Sequence, residues 1–327
     1  MQKSTQAAAI LMLATVLTWS CSTKNKDQST DSATDNSAPS VIRLSDEINS
    51  IISEDVEIET LTEGFTWSEG PVWVPELQSV LFTDVPMNTI YRWHETEGKS
   101  VFLEPSGFTD YTGLPKSNEP GANGLILDND GNLLMCQHGD RRVARLKADF
   151  SSPVPKFETL ADSFNGQRLN SPNDLVMDSQ GNIYFTDPPY GLNGQDGAET
   201  KEIEFNGVYK INTLGNISLI DASLTRPNGI ALSPDEKTLY VANSDAKRAL
   251  WMAYDITTYG VTNARVFFDA TSWVGEKKGL PDGLKVNQSG ILFATGPGGV
   301  LVFTPEGKHL GTINTGQATA NCAFGPN

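Results

Sequence analysis

Cysteine is nearly absent from this chain: there are three in 327 residues. Cys21 follows an N-terminal apolar run, while Cys136 and Cys322 lie far apart in apolar strand-like segments. No zinc spacing is present, and the latter two are expected as buried free thiols rather than a disulfide. Basic residues are also scarce. The 24 Lys and Arg face 40 Asp and Glu, for a net charge of −16. Such a surface disfavours nucleic acid and anionic membrane as partners and is compatible with binding a cation. There is no Gly-x-Ser-x-Gly motif, which argues against acyl-enzyme chemistry. No long amphipathic helical pattern is apparent.

The one sustained apolar run, Ala7 to Leu17, follows Lys3 and is too short to span a bilayer. It reads as the core of a signal peptide. Ser20 before Cys21 suggests bacterial lipoprotein processing with Cys21 lipidated, although Thr18 and Trp19 depart from the usual Leu-Ala pattern. An ordinary secretory signal with an incidental Cys is the alternative. Residues 1–20 are therefore read as a signal segment. Residues 21–40, rich in Ser, Thr, Asp and Asn, are read as a flexible polar tether. The protein is then expected in the cell envelope of a bacterium, in the periplasm or at the outer membrane, touching membrane only through a lipid anchor.

What the chain has in abundance is one repeated unit. SPNDLVMDSQGNIYFTD (Ser171 to Asp187) reads as a turn, a strand, a tight Gly/Asn turn and a second strand. Related copies start at Ser68, Gly121, Arg226 and Leu280, and a fragment starts at Thr319. The copies recur every 50 to 55 residues, a period that signals a β-propeller with one four-stranded blade per repeat. The alternative is a β-sandwich with coincidental spacing. Residues 41–327 are thus read as an all-β, six-bladed β-propeller. Ile51 to Leu61 alternates apolar and polar residues and is expected as an outer strand of the last blade. The sixth copy breaks off after TANCAFGPN. The sixth blade is therefore expected to be incomplete, with exposed edges on blades five and one and poor stability or self-association.

In a propeller the residue entering each innermost strand lies at the mouth of the central channel. Here those residues are Glu69, Asn123, Asn173, Asn228, Asp282 and Asn321. Any one alone is as well explained as a turn cap. Six converging on one axis make a set of oxygen donors with two carboxylates, which suits calcium. Without His or Cys in the set, zinc and copper are disfavoured. His138, one of three histidines, follows the second strand of blade two and can face the channel or simply bond backbone. Tyr190, in DPPYG, can wall a pocket or pack in a rigid turn. Arg141-Arg142 reads as a solvated pair.

The motifs SEGPVW (68–73), RLNSPNDLV (168–176), YFTDPPYG (184–191), RPNGIALSPD (226–235) and LPDGLKV (280–286) occur in order. They resemble those of the gluconolactonase, regucalcin (senescence marker protein) and luciferin-regenerating enzyme family, most of all its bacterial gluconolactonase-like branch. The resemblance covers roughly residues 56–325. It implies that Glu69, Asn173, Asn228 and Asp282 hold one divalent metal and that Asp282 is also the acid/base. One position departs: regucalcin has Arg two residues before the Asn of its Asn-Asp motif, where this chain has Ser171.

The activity this implies is calcium-dependent hydrolysis of a small-molecule lactone, of the sugar-lactone kind, by metal-activated water. Asn123, His138 and Tyr190 are the candidate substrate contacts. Hydrolysis of organophosphates or aryl esters is the alternative, as is a non-enzymatic ligand-binding propeller, with inactivity through truncation also open.

Overall fold

The computed structural model describes residues 38–110 and 117–326. The signal segment, Cys21 and all but the last three residues of the tether lie outside the described residues. A short strand, β1 (Ser40–Arg43), and a 3-10 turn (Asp46–Ser50) come first. Blade one is β2 (Ser68–Val74), β3 (Ser79–Asp84), β4 (Thr89–His94) and β5 (Gly98–Leu103). Blade two is β6 (Ala122–Leu127), β7 (Leu133–Gln137), β8 (Arg142–Leu146) and β9 (Phe157–Ala161). A small hairpin of β10 (Ser163–Phe164) and β11 (Gln167–Arg168) leads into blade three. That blade is β12 (Leu175–Met177), β13 (Ile183–Asp187), β14 (Gly207–Ile211) and β15 (Ile217–Asp221). Blade four is β16 (Pro227–Leu232), β17 (Thr238–Asp245), β18 (Arg248–Thr257) and β19 (Gly260–Asp269). Blade five is β20 (Leu284–Val286), β21 (Leu292–Gly296), β22 (Gly299–Phe303) and β23 (His309–Asn314). Every blade is an antiparallel meander, the arrangement that short connections permit.

The turns explain why the repeat was visible. Between the first and second strands of blades two, three and five, an Asp or Asn accepts two main-chain N–H groups and so satisfies a tight turn. Asp128 takes those of Asp130 and Asn132, and Asp178 those of Gln180 and Asn182. Asn287 does the same for Ser289 and Ile291. The core lies between neighbouring blades. Leu134, Cys136 and Val143 of blade two pack on Leu175, Phe185 and Tyr209 of blade three. Trp251 of blade four packs with Leu284, Ala294, Leu301 and Phe303 of blade five. Burying each such large side chain contributes roughly 1.5–3 kcal/mol.

Two expectations need correction. Five large sheets form among the described residues, not six, and no sheet forms around Asn321. Nor is Ile51 to Leu61 a strand: its alternation finds no strand edge to pair with, and Val56 and Leu61 are exposed. The N-terminal strand is β1 instead, and it pairs with β23 as a fifth strand of blade five. One edge of blade five, that of β23, is therefore covered. Behind it Ile48 packs fully buried against Val302 and Leu310. Cys136 is a buried free thiol and Cys322 a half-buried one.

Candidate functional site

The local fold delivers the mouth residues in a repeated way. In β2, β6 and β16 the register with the second strand slips over Glu69–Val72, Ala122–Leu125 and Pro227–Ile230. Such bulges re-aim a side chain away from the regular pleat, and Glu69, Asn123 and Asn228 sit within them. Asn173 and Asp282 stand two residues before β12 and β20. The residue ending or near the end of the second strand then pins the entering segment. Asp84 accepts from Thr66 N and Trp67 N (2.9 and 3.2 Å). Asp187 accepts from Asn170 N and Ser171 N (2.7 and 2.8 Å). Asn243 Oδ1 accepts from Arg226 N (2.8 Å).

The segments that carry successive mouth residues meet around a closed circuit. A Cβ on Gly70 would lie 2.0 Å from the Asn123 carbonyl oxygen. Gly124 N donates to the Asn173 carbonyl (2.8 Å), and Thr186 Oγ1 to the Asn228 carbonyl (2.6 Å). A Cβ on Gly229 would lie 2.2 Å from the Asp282 carbonyl, and one on Gly283 would lie 2.1 Å from Asn321 Cγ. Asn321 Nδ2 donates to Glu69 Oε2 (3.2 Å) and returns the circuit to its start. The segment before Asn321 is held by Gly283 N and Thr295 Oγ1, both donating to the Ala320 carbonyl. The structure thus brings together all six residues expected at the mouth, although the sixth arrives on an extended segment without a sheet.

The circuit is acidic and starved of donors. Glu69 is 4% exposed and accepts from Gly70 N and Asn321 Nδ2. Burial pushes its carboxyl up to about 7, those two bonds pull it down, and the charge of Asp174 raises it further. Burial also holds Asp282 well above the usual carboxylate range, with Glu69, Asp174 and Glu119 adding repulsion. Asn123 Oδ1, Asn173 Oδ1, Asp174 Oδ2 and Asp282 Oδ1 are buried without a hydrogen-bond partner. Buried oxygens are seldom left unpaired. Several unpaired acceptors beside two repelling carboxylates are the environment that a hard cation satisfies. The donor set of Glu69, Asn173, Asn228 and Asp282 therefore fits a divalent cation of the calcium type. Among the described residues no group of three His, Cys, Asp or Glu could hold a metal, so any cation here must draw on the amides.

Around the circuit lie the other candidates. The Tyr190 hydroxyl bonds Ser244 and Asn228, and burial with the nearby Asp282 charge raises its pKa. His138 is fully buried, and burial lowers its pKa to about 4, leaving a neutral imidazole. Two acidic groups escaped the sequence reading. Asp174 stands where the other complete copies have glycine (Gly70, Gly124, Gly229, Gly283), and that exception was a usable signal. Glu119 precedes the second copy in a loop, where no periodicity marks it. Arg141 and Arg142 are not a solvated pair: both are buried. Arg141 donates to the carbonyls of Leu169, Asn170 and Thr200, so it clamps the loop that carries Asn173. Arg142 is paired with Asp140 at 3.0 Å.

A circuit of buried oxygen donors at the mouth of an all-β propeller is the class of site that these residues form. The model of the SMP-30/gluconolactonase/LRE-like region matches residues 67–327, and the chain belongs to this family. Gluconolactonase from Zymomonas mobilis subsp. mobilis is 39% identical over 292 residues, covering 87% of this chain and 80% of that protein. The structure of a gluconolactonase from Xanthomonas campestris superposes with a TM-score of 0.74 at 28% identity, covering 88% of this chain and 90% of that one. Regucalcin from Agrobacterium tumefaciens, described as a calcium-binding protein, shares the fold with a TM-score of 0.58 at 20% identity, over 79% of this chain and 78% of that one.

Proposed function

We propose that this protein is a lactone hydrolase acting on a sugar lactone, with one divalent cation, calcium, held by Glu69, Asn173, Asn228 and Asp282. The observation that carries this is the circuit of buried, donor-starved oxygens. The gluconolactonases of Zymomonas mobilis and Xanthomonas campestris support the substrate class, and the Agrobacterium regucalcin supports calcium. We read the extended segment at Asn321 as the sixth position of a six-fold ring, because its side chain closes the circuit onto Glu69.

The chemistry the cation supplies when bound is Lewis acidity toward a lactone carbonyl and toward water. Asp282 then has two tasks. One oxygen would serve the cation site, and the carboxylate takes the proton of the water that attacks the lactone carbonyl and passes it to the ring oxygen as the ring C–O bond breaks, a role typically worth about 10²–10⁴-fold in rate. Asn173 and Asn228 bring oxygen without adding charge. Tyr190, tied to Asn228 and Ser244, forms a polar wall that orients the ring of the substrate. Ser171 stands where regucalcin has Arg, and its hydroxyl is spent on the Pro188 carbonyl (2.6 Å), so it adds no cationic contact to the lactone.

The test is hydrolysis of D-glucono-δ-lactone followed by acid release at constant pH. The expected result is activity with calcium, loss with chelator, recovery on re-addition, and loss of at least about 10²-fold in Asp282→Ala. Full activity in Asp282→Ala would refute the role given to that carboxylate. Faster turnover of aryl esters or organophosphates than of any lactone would overturn the substrate class.

We further propose export to the cell envelope with Cys21 lipidated, from the leader pattern of Lys3, Ala7 to Leu17 and Ser20-Cys21. Labelled fatty acid entering the wild type and not Cys21→Ala supports this, and equal labelling of both contradicts it.

A further inference from the structure

His138 is left unexplained by the cation circuit. Its side chain is 0% exposed, and neither ring nitrogen has a hydrogen-bond partner. A neutral imidazole carries one N–H donor and one bare acceptor, and leaving both unmet in a buried place is costly. The main chain fixes where the ring sits. His138 N donates to the Gly121 carbonyl (3.1 Å), and Gly139 N to the Pro120 carbonyl (3.2 Å). On its other side Gly191 passes so close that a Cβ there would lie 2.6 Å from His138 Cβ and 2.8 Å from Ser171 Cβ. The imidazole is therefore wedged beside the loop that carries Asn173.

One residue faces the ring with acceptors. Glu119 Oε2 lies 3.7 Å from Nδ1, and the Glu119 main-chain carbonyl is also directed at the ring. The Glu119 carboxylate on the Nδ1 side favours the tautomer with its proton on Nδ1. Nε2 is then a bare, buried acceptor that asks for an O–H or N–H from outside the protein. Glu119 itself is 38% exposed, and its charge is felt by Asp282.

We propose that His138 and Glu119 form a hydroxyl-recognising subsite, in which His138 Nε2 and the Glu119 carboxylate accept hydrogen bonds from ring hydroxyls of a polyhydroxylated lactone. This rests on the lactonase reading for the class of ligand and assigns the pair to specificity rather than to bond breaking. A site built to bond a substrate hydroxyl rejects the analogue that lacks it far more strongly than an apolar pocket discriminates by size.

Two measurements separate the failure of this inference from the failure of the lactonase reading. The first is calorimetric binding, with calcium present, of 1,5-anhydro-D-glucitol, a cyclic polyol with no carbonyl to hydrolyse. The wild type is expected to bind it. His138→Leu and Glu119→Gln are each expected to weaken binding about tenfold or more, the cost of a lost hydrogen bond with one partner left unmet. His138→Gln, which keeps an acceptor, is expected to fall between. Absence of binding to the wild type, or equal binding to His138→Leu at an unchanged melting temperature, overturns the subsite. If His138→Leu does not fold, His138→Gln and Glu119→Gln decide. The second is the ratio of kcat/KM for D-glucono-δ-lactone to that for unsubstituted δ-valerolactone. His138→Leu is expected to lower this ratio about tenfold or more, while equal losses on both lactones mean that the ring serves only the fold. Failure of the wild type to hydrolyse either lactone refutes the lactonase reading, and polyol binding then decides the subsite alone.

Discussion

At the scale of residues, the candidate site depends on small groups as much as on its oxygens. Gly229 is required because no Cβ fits between it and the Asp282 carbonyl, 2.2 Å from where that atom would lie. The obstacle is backbone, so relief requires moving the segment that carries Asp282. Gly229→Ala is expected to cost about 1–3 kcal/mol, read as a shift in urea midpoint, and to lower activity beyond what the lost stability explains. A variant with unchanged midpoint and activity contradicts the close approach. The six mouth residues were legible in the sequence because the turn and strand patterns around them repeat. Asp174 was legible only as the exception to the repeated glycine, and the alignment drew attention to the residue before it. Burial of Arg141 was also illegible: nothing local announces that a guanidinium will find carbonyls from 168–170 and Thr200 across the chain.

At the scale of elements, the working unit is the inner hairpin with its pinning carboxylate. Asp187 is fully buried, and burial pushes its carboxyl up to about 7 against the downward pull of bonds from Asn170 and Ser171 and of the Arg141 and Lys201 charges. An acid whose folded pKa is raised binds its proton more tightly folded than unfolded, so its contribution to stability falls as pH rises. For Asp187 the contribution is complete below about pH 4 and lost by about pH 7. Asp187→Asn stays neutral throughout. Relative to the wild type, it is expected to gain stability between pH 5 and pH 8, measured by urea midpoints at both; a difference that does not change with pH contradicts this. The hairpins themselves were readable from period-2 patterns and Asx turns. Ile51 to Leu61 was misread because alternation specifies a strand only where a partner edge is available, and β1 had taken the edge of β23.

At the scale of the molecule, five sheets and one extended segment close a six-membered circuit. The hydrophobic interfaces between blades set the positions, and the circuit is completed by one side-chain hydrogen bond, from Asn321 to Glu69. That bond favours the charged form of Glu69. Asn321→Ala is expected to weaken cation binding about tenfold, as losses of a ligand's supporting partner do, and to move the loss of binding on acidification to higher pH, both read by calorimetric titration at several pH values. Sequence alone indicated the propeller class and its repeat. The sheet count was not legible, because a repeat fragment does not reveal whether its residues will pair as strands.

The central claim is that this circuit holds one divalent cation. Its most direct test is calorimetric titration of chelator-stripped protein with calcium, for the wild type and Glu69→Gln. One site per chain in the wild type, abolished or weakened at least about a hundredfold in Glu69→Gln, is the predicted result. No saturable binding to the wild type, or binding that Glu69→Gln leaves intact, would contradict it.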